Sequence, residues 1–128
     1  MNTLGAELLL VEAGRTEIGL GYDERLSQQH GYFHGGVIGT LADNAGGYAA
    51  FSLMPAGMTV LTVEYKLNIV APATGERLIA RGQVLRPGRT LTVTRSDVFA
   101  VDGGRETLCA TGLQTMMCLD AAPHRPAG

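Results

Sequence analysis

One helical segment in a chain of strands limits the possible folds most. Residues Val37 to Leu53 contain no proline, and their apolar residues recur three or four positions apart, which is helical spacing. Pro55 and Gly57 follow and are expected to end the helix. Gly46 and Gly47 each weaken a helix by roughly 1 kcal/mol relative to alanine. We therefore expect these glycines where another backbone comes close, in a helix that is buried on most sides.

The rest of the chain has the pattern of β-strands. Residues Val60 to Ile69 alternate most clearly, and Pro72 and Gly75 follow them. One face of this strand is predicted to carry Leu61, Val63, Tyr65, Leu67 and Ile69, and the other Thr62, Glu64, Lys66 and Asn68. Further strands are predicted over 6–13, 16–22, 76–85, 90–101 and 105–119. The short connections 86–89 and 102–104 are hairpin signals, so the sheet is predicted to be antiparallel.

This order of elements predicts an α+β fold in which a curved antiparallel sheet wraps around one long central helix. A regular edge strand such as 60–69 invites pairing with a second copy, so we expect a dimer with a continuous sheet. Residues 1–120 are predicted to form a single domain. Residues 121–128, with Pro123 and Pro126, are predicted to form a flexible tail.

Composition and charge argue against several classes of protein. The 128 residues include 10 Lys and Arg against 12 Asp and Glu, a net charge of −2, without a basic run, so nucleic-acid binding is not expected. The apolar run 8–11 is too short for a signal peptide or a membrane span, which predicts a cytoplasmic protein without a membrane partner. Cys109 and Cys118 are predicted to be two buried thiols, and neither has metal-ligand spacing to a His or Cys.

The segment His34-Gly35-Gly36, followed by Asp43, carries the chemistry of the chain. Backbone amides at the start of a helix can hold a developing negative charge. A lone acid in apolar surroundings can attack a carbonyl or activate water. Together these features predict acyl transfer or hydrolysis at a carbonyl group.

In their order and separation, several motifs resemble those of hotdog-fold acyl-CoA thioesterases of the phenylacetate-degradation (PaaI-like) group. The resemblance covers about residues 4–119 and is carried by His34-Gly35-Gly36-Val37-Ile38, Leu41-Ala42-Asp43, Thr62-Val63-Glu64-Tyr65, Asn68-Ile69-Val70-Ala71-Pro72-Ala73 with Gly75, and Gly88-Arg89. It implies hydrolysis of an acyl-CoA to the free acid and CoA. It also implies a homodimer or a dimer of dimers (a homotetramer), with no metal and no cofactor beyond the CoA of the substrate.

The resemblance assigns roles to residues at both ends of the predicted helix. Asp43 takes the place of the catalytic acid, as a nucleophile or as a general base toward water. Gly35 is the candidate oxyanion donor, with Gly36 beside it in the substrate-binding turn. Thr62 matches a position where related enzymes carry a hydroxyl near the acid, although a threonine on the polar face of a strand is also ordinary.

The loop before the helix holds further candidates. In the family, the position of Gln28 helps to place the carbonyl or the water, unless a loop register shifted by one makes Gln29 the counterpart. His34 is interpreted as an orienting residue rather than a direct proton carrier. His30 has no match in the family and is interpreted as structural or exposed.

Two further sets of residues have open interpretations. Arg86, Gly88 and Arg89 form a hairpin whose cations suit the 3′-phosphate and pyrophosphate of CoA, but two solvated arginines in a turn explain the pattern equally well. Tyr48 and Phe51 could line an acyl pocket or belong to the core. The spacing of Tyr48 from the acid favours the core.

Helix geometry separates the two halves of the motif. Gly35 and Asp43 are eight residues apart, which corresponds to about 12 Å along a helix axis. One thioester carbonyl cannot contact both, unless the acid reaches back. We infer that Gly35 of one subunit faces Asp43 of its partner, as the resemblance also implies.

The sequence leaves the acyl group open, because a small aryl group and a medium aliphatic chain are both compatible with it. Two alternative functions also stay open. One is a non-catalytic acyl-CoA-binding protein, which would have no need of Asp43. The other is a hotdog-fold dehydratase or hydratase, which needs a His and acid pair acting on the acyl chain.

Overall fold

The computed structural model describes residues 5–21, 33 and 35–120, which form one helix and six strands. The elements are β1 (Glu7–Glu12), β2 (Arg15–Gly21), α1 (Gly35–Phe51), β3 (Met58–Ile69), β4 (Arg77–Arg86), β5 (Leu91–Asp102) and β6 (Arg105–Asp120). The predicted strands are all present. The helix begins and ends two residues earlier than predicted, so that Gly35 and Gly36 lie in its first turn.

The strands form a single sheet in the order β1-β2-β4-β5-β6-β3, and every neighbouring pair is antiparallel. α1 packs across this sheet and contacts all six strands. The predicted α+β hotdog fold, with a sheet wrapped around one long helix, is therefore confirmed. β3 lies at an edge of the sheet, as the dimer prediction requires. The predicted tail, residues 121–128, lies outside the described residues.

One face of α1 supplies the core. Its buried residues are Ile38, Gly39, Leu41, Ala42, Ala45, Gly46, Ala49 and Ala50. They pack against inward-facing residues of the strands, among them Ile18, Leu20, Leu78, Ala80, Val98 and Ala100. The opposite face stays exposed at Thr40, Tyr48 and Phe51. In the single chain, α1 is therefore buried where it faces the sheet and keeps one exposed side.

Two glycines bring the helix and the sheet together. A Cβ atom on Gly82 of β4 would collide with the carbonyl group of Ala45 in α1. A Cβ atom on Gly46 would lie 2.5 Å from Oε1 of Gln114 and 2.7 Å from Oγ1 of Thr94. A Cβ atom on Gly82 would also lie 2.9 Å from the amide nitrogen of Gly46, so the close approach of another backbone predicted at Gly46 exists and is made by Gly82.

A bulge in β3 changes which of its residues face the helix. Thr62 pairs with Met116 and Glu64 pairs with Thr115, so that Val63 is an extra residue on this strand. Thr62 and Tyr65 both face α1, since each approaches a residue of that helix. Leu61 consequently points to the other side of the sheet. The predicted single apolar face that included Leu61 is wrong, because the bulge interrupts the alternation.

Both cysteines are free thiols, Cys109 buried and Cys118 half-buried. Burial raises the pKa of the Cys109 thiol to about 11.

Among the described residues, no helix is long and apolar enough to cross a membrane.

Candidate active site

Asp43 opens into a cavity of about 360 Å³ between the exposed side of α1 and the first half of β3. The helix contributes Asp43, Asn44, Gly47, Tyr48 and Phe51 to its lining, and the strand contributes Thr59, Val60 and Thr62. The lining thus includes three polar side chains besides the acid, those of Asn44, Thr59 and Thr62, and the rings of Tyr48 and Phe51 toward the C-terminal end of the helix.

The Asp43 carboxylate is held by Thr62. Oγ1 of Thr62 donates a 2.8 Å hydrogen bond to Oδ1 of Asp43, and the same hydroxyl lies 3.1 Å from the sulfur of Met116. The acid is half-buried, so it can meet a ligand in the cavity while its orientation is fixed from the strand. The sequence placed a hydroxyl near the acid only through the family resemblance, and the structure brings the two groups into contact.

Buried hydroxyls also fix the helical turn that carries Asp43. Oγ of Ser96 donates a 2.7 Å hydrogen bond to the carbonyl oxygen of Ala42, the residue before the acid. Oγ1 of Thr16 donates a 2.6 Å hydrogen bond to the carbonyl oxygen of Ala45. Both donors are buried and belong to the sheet. The sequence analysis does not single out these two donors. The one feature of the sequence that points to them is a hydroxyl side chain at a position of a strand that faces the core.

Gly35 and Gly36 begin α1, where the first amides of a helix have no carbonyl partner within it. Gly36 is exposed, and a Cβ atom there would meet nothing within 4 Å. A Cβ atom on Gly35 would lie 3.4 Å from Cδ1 of Ile69. Because α1 is continuous from Gly35 to Asp43, the two groups are separated by about 12 Å along its axis. Gly35 and Gly36 are not part of the cavity lining around Asp43.

The loop candidates Gln28, Gln29, His30 and His34 lie outside the described residues. Their predicted roles stay predictions.

The arginine hairpin lies away from Asp43. Arg86 and Arg89 are exposed, and neither lines the cavity around the acid. Val84, two residues before Arg86, donates its backbone amide to the carbonyl oxygen of Gly14. The amide of Gly14 in turn donates to Oγ of Ser52, just beyond the end of α1. The hairpin therefore lies near the C-terminal end of the helix, whereas Gly35 begins the other end. Gly88 lies in the same turn and donates its amide to Oγ1 of Thr92 at 3.4 Å.

The sequence profile of the thioesterase superfamily matches residues 30–107, which is more than half of the chain and includes α1, β3, β4, β5 and the start of β6. The chain belongs to the thioesterase superfamily. Its fold, one long helix packed on an antiparallel sheet, is thus that of this superfamily.

Similarity to individual proteins agrees with this assignment. A crystal structure of a thioesterase family protein from Silicibacter pomeroyi is 48% identical, covers 94% of this chain and 88% of that chain, and superimposes with a TM-score of 0.91. A protein of Saccharolobus solfataricus whose name calls it an esterase is 32% identical over 100 residues, 78% of this chain and 71% of that protein. The 1,4-dihydroxy-2-naphthoyl-CoA hydrolase of Listeria monocytogenes is 27% identical over 107 residues, 84% of this chain and 85% of that protein.

Within this superfamily fold, the aromatic residues of α1 are not core residues. Tyr48 is 38% exposed and Phe51 is 46% exposed, and both line the cavity beside Asp43. The expectation that they belong to the core is wrong, because the sheet does not reach the side of the helix on which they lie. Sequence reasoning also missed Asn44, Gly47, Thr59 and Val60 as lining residues.

An ion pair on the surface of the sheet shifts the pKa values of both of its members. Arg81 of β4 donates hydrogen bonds of 2.7 and 2.8 Å to the two carboxylate oxygens of Glu106. These bonds lower the pKa of Glu106 and raise the pKa of Arg81. Neither residue lines the cavity around Asp43, so this pair is a feature of the sheet surface and not of the site.

Proposed function

We propose that this protein is an acyl-CoA thioesterase. It hydrolyses a small aryl- or medium-chain acyl-CoA to the free acid and CoA, at a site shared by two subunits. The observation that carries the proposal is the Asp43 carboxylate, oriented by Thr62 and open to a cavity with two exposed aromatic rings. Membership of the thioesterase superfamily and likeness to a naphthoyl-CoA hydrolase support a thioester of CoA as the substrate.

The chemistry has two possible first steps at Asp43. As a general base, the carboxylate takes a proton from a water molecule while the water oxygen attacks the thioester carbon. As a nucleophile, the carboxylate attacks that carbon itself and forms an anhydride, which water then hydrolyses. In both cases the carbon–sulfur bond breaks, the electron pair leaves with the sulfur of CoA, and a proton converts the thiolate to the thiol.

The remaining candidates have supporting roles in the proposal. The amide of Gly35, at the positive end of the helix dipole, donates to the thioester oxygen as negative charge develops there, with Gly36 beside it. Gln28 and His34 orient the carbonyl or the water.

In the proposal, the arginine hairpin binds the CoA end of the substrate. Arg86 and Arg89 are exposed cations that suit the phosphates of CoA, and Gly88 forms the turn between them. Together with the groups at the thioester, they require no metal ion and no cofactor beyond the CoA of the substrate.

A second subunit completes the site in this proposal. Gly35 and Asp43 of one chain lie about 12 Å apart along the helix axis, so they cannot both contact the same thioester carbonyl of the substrate. The edge strand β3 exposes apolar side chains that a partner would cover, with Val63 46%, Tyr65 50% and Ile69 54% exposed. A dimer that joins two β3 edges supplies Gly35 from one subunit and Asp43 from the other, and such dimers can pair further into a tetramer.

The direct test is the release of free thiol from a panel of aryl- and alkyl-CoA substrates by the wild-type protein and by Asp43→Asn. The substitution keeps the size of the side chain and removes its charge, so we expect thiol release to fall by at least about 1,000-fold. Thiol release that survives intact in Asp43→Asn contradicts the site. Binding of acyl-CoA by the wild-type protein without thiol release supports the non-catalytic alternative instead.

The shared site is tested by coexpressing a Gln28→Ala, Gly35→Pro chain with an Asp43→Ala chain under two different affinity tags. Proline is tolerated at the first position of a helix, so Gly35→Pro removes one amide donor and leaves α1 in place. Each hybrid dimer contains one intact site, and we expect about half of the wild-type activity after purification through both tags. A hybrid no more active than its parents contradicts the shared site.

A further inference from the structure

The glycines of α1 differ in what surrounds them. A Cβ atom on Gly46 would lie 2.5 Å from Gln114, and one on Gly39 would lie 3.4 Å from the hydroxyl of Tyr65. At Gly47, the nearest atom is Cε of Met116, at 4.0 Å. Packing within this chain therefore explains the glycine at 46 but leaves room for a methyl group at 47.

A glycine in the middle of a helix is unfavourable, because alanine is the better helix former and loses less backbone freedom on folding. Gly47 is neither at an end of α1 nor in the left-handed region of backbone conformation. Neither backbone geometry nor contacts in this chain account for its missing side chain. The explanation must lie in what occupies the space next to it.

That space is the cavity of the candidate active site. Gly47 lines it one helical turn after Asp43, about 6 Å further along the axis. Tyr48 and Phe51 line the cavity beyond this position, and Val60 of β3 also contributes to its wall. A side chain at 47 would therefore stand between the acid and the aromatic rings.

We infer that Gly47 is a specificity-determining residue that sets the bulk of the acyl group accepted beside Asp43. This inference rests on the proposed thioesterase function and adds the group that limits substrate size. Without a side chain at 47, a flat acyl group bound at Asp43 can extend along the helix and reach the rings of Tyr48 and Phe51. Aromatic groups favour the offset or edge-on contacts that these exposed rings offer.

The test compares Gly47→Ala with the wild-type protein on acetyl-CoA, hexanoyl-CoA and phenylacetyl-CoA, by the release of free thiol. One added methyl group in an apolar pocket commonly changes discrimination between substrates by about tenfold or more. We expect kcat/KM for phenylacetyl-CoA to fall by about that factor relative to acetyl-CoA. The melting temperature should rise, because alanine strengthens the helix.

Two further variants sharpen the comparison. Thr40→Ala is the matched control, since Thr40 is exposed on α1 and does not line the cavity, and alanine is the better helix former. Its hydroxyl donates to the carbonyl oxygen of Gly36 one turn earlier, and the substitution leaves the Gly35 and Gly36 amides in place. It should raise the melting temperature and leave the substrate ratio at the wild-type value. Phe51→Ala opens the far end of the cavity and should shift the preference toward longer or bulkier acyl groups.

The outcomes separate the inference from the proposed function. If the wild-type protein releases thiol from none of the acyl-CoAs, the proposed function fails, and the inference fails with it. If the wild-type protein is active but Gly47→Ala keeps the same substrate ratio, only the inference is overturned. If Gly47→Ala changes the oligomeric state measured by light scattering, the space belongs to subunit packing, which overturns the inference as well.

Discussion

The hydroxyl of Thr62 donates a hydrogen bond of 2.8 Å to the carboxylate of Asp43 and so links the edge strand β3 to the helix α1. Thr62 is the last residue of β3 in regular register before the bulge at Val63. Bulges often occur next to active sites, where they re-aim a side chain. Here the bulge lets Thr62 and Tyr65 face the same side, so the strand that is expected to pair with a partner also orients the acid.

Thr62→Val should therefore lower kcat for thiol release, because it keeps the shape of the side chain and removes the hydroxyl. A hydrogen bond to a charged group contributes about 1.5–3 kcal/mol, which corresponds to roughly a 10- to 100-fold loss. Thr62→Ser keeps the donor and should recover most of the activity. Equal kcat values for Thr62→Val and the wild-type protein would show that this hydrogen bond plays no part in turnover.

The contact between Gly82 and Ala45 predicts a loss of stability on substitution. Gly82→Ala places a methyl group against the carbonyl of Ala45, so helix and sheet must move apart. We expect the free energy of unfolding in urea to fall by about 1–3 kcal/mol, as is common for overpacked interiors. Gly21→Ala is the matched control, since a Cβ atom there would meet nothing within 4 Å. Similar unfolding midpoints for both variants would contradict the close packing at Gly82.

The bond from Ser96 to the carbonyl of Ala42 leads to a prediction about both stability and catalysis. Ser96→Ala leaves that buried carbonyl without its sheet donor, and we expect a loss of about 1–3 kcal/mol in the free energy of unfolding. The turn that carries Asp43 also loses a support. Among variants that remain folded at the assay temperature, kcat should therefore fall while KM changes little.

Thr107→Ala serves as the control for Ser96→Ala, because Thr107 is an exposed hydroxyl residue of β6. It should change the free energy of unfolding by less than about 0.5 kcal/mol and leave kcat unaltered. If Ser96→Ala destabilises the fold without changing kcat, Ser96 supports the helix but does not position the acid.

Much of this architecture is predictable from the sequence, because apolar residues recur with one period in a helix and with another in a strand. Apolar spacing locates the helix that carries Asp43, and strict alternation locates β3. What the period cannot show is an added residue such as Val63, since the residues on both sides of a bulge still alternate. Strict alternation therefore places Thr62 and Leu61 on the wrong faces, whereas the family resemblance predicts a hydroxyl at Thr62 near the acid, and the structure has the two in contact.

Other features depend on tertiary context. A threonine or serine in a strand looks the same in sequence whether it faces water or the core, so the support from Thr16 and Ser96 emerges only once the sheet order is known. The exposure of Tyr48 and Phe51 likewise depends on how far the sheet reaches around α1. A helical period identifies an apolar stripe, but not which part of that stripe stays open for a ligand.

The ion pair on the outer surface of the sheet predicts a pH dependence of stability. Glu106 accepts both of its hydrogen bonds from Arg81, which lies 4.8 Å from the ring centre of Phe99 and also pairs with Glu17 at 3.3 Å. The pair lowers the pKa of Glu106 from its ordinary 4.5, so the folded state favours the charged carboxylate. Its contribution is present above about pH 4.5 and is lost as the pH falls through the lowered pKa in the folded state.

Glu106→Gln should therefore reduce the free energy of unfolding at pH 7 and reduce it by less at pH 3. Glu106 is 38% exposed, so we expect a difference of less than about 1 kcal/mol at pH 7, smaller still in 1 M salt. Urea unfolding of both proteins at the two pH values, with and without added salt, measures this difference. A loss of equal size at pH 3 and pH 7 would mean that Glu106 stabilises the sheet through packing and not through its charge.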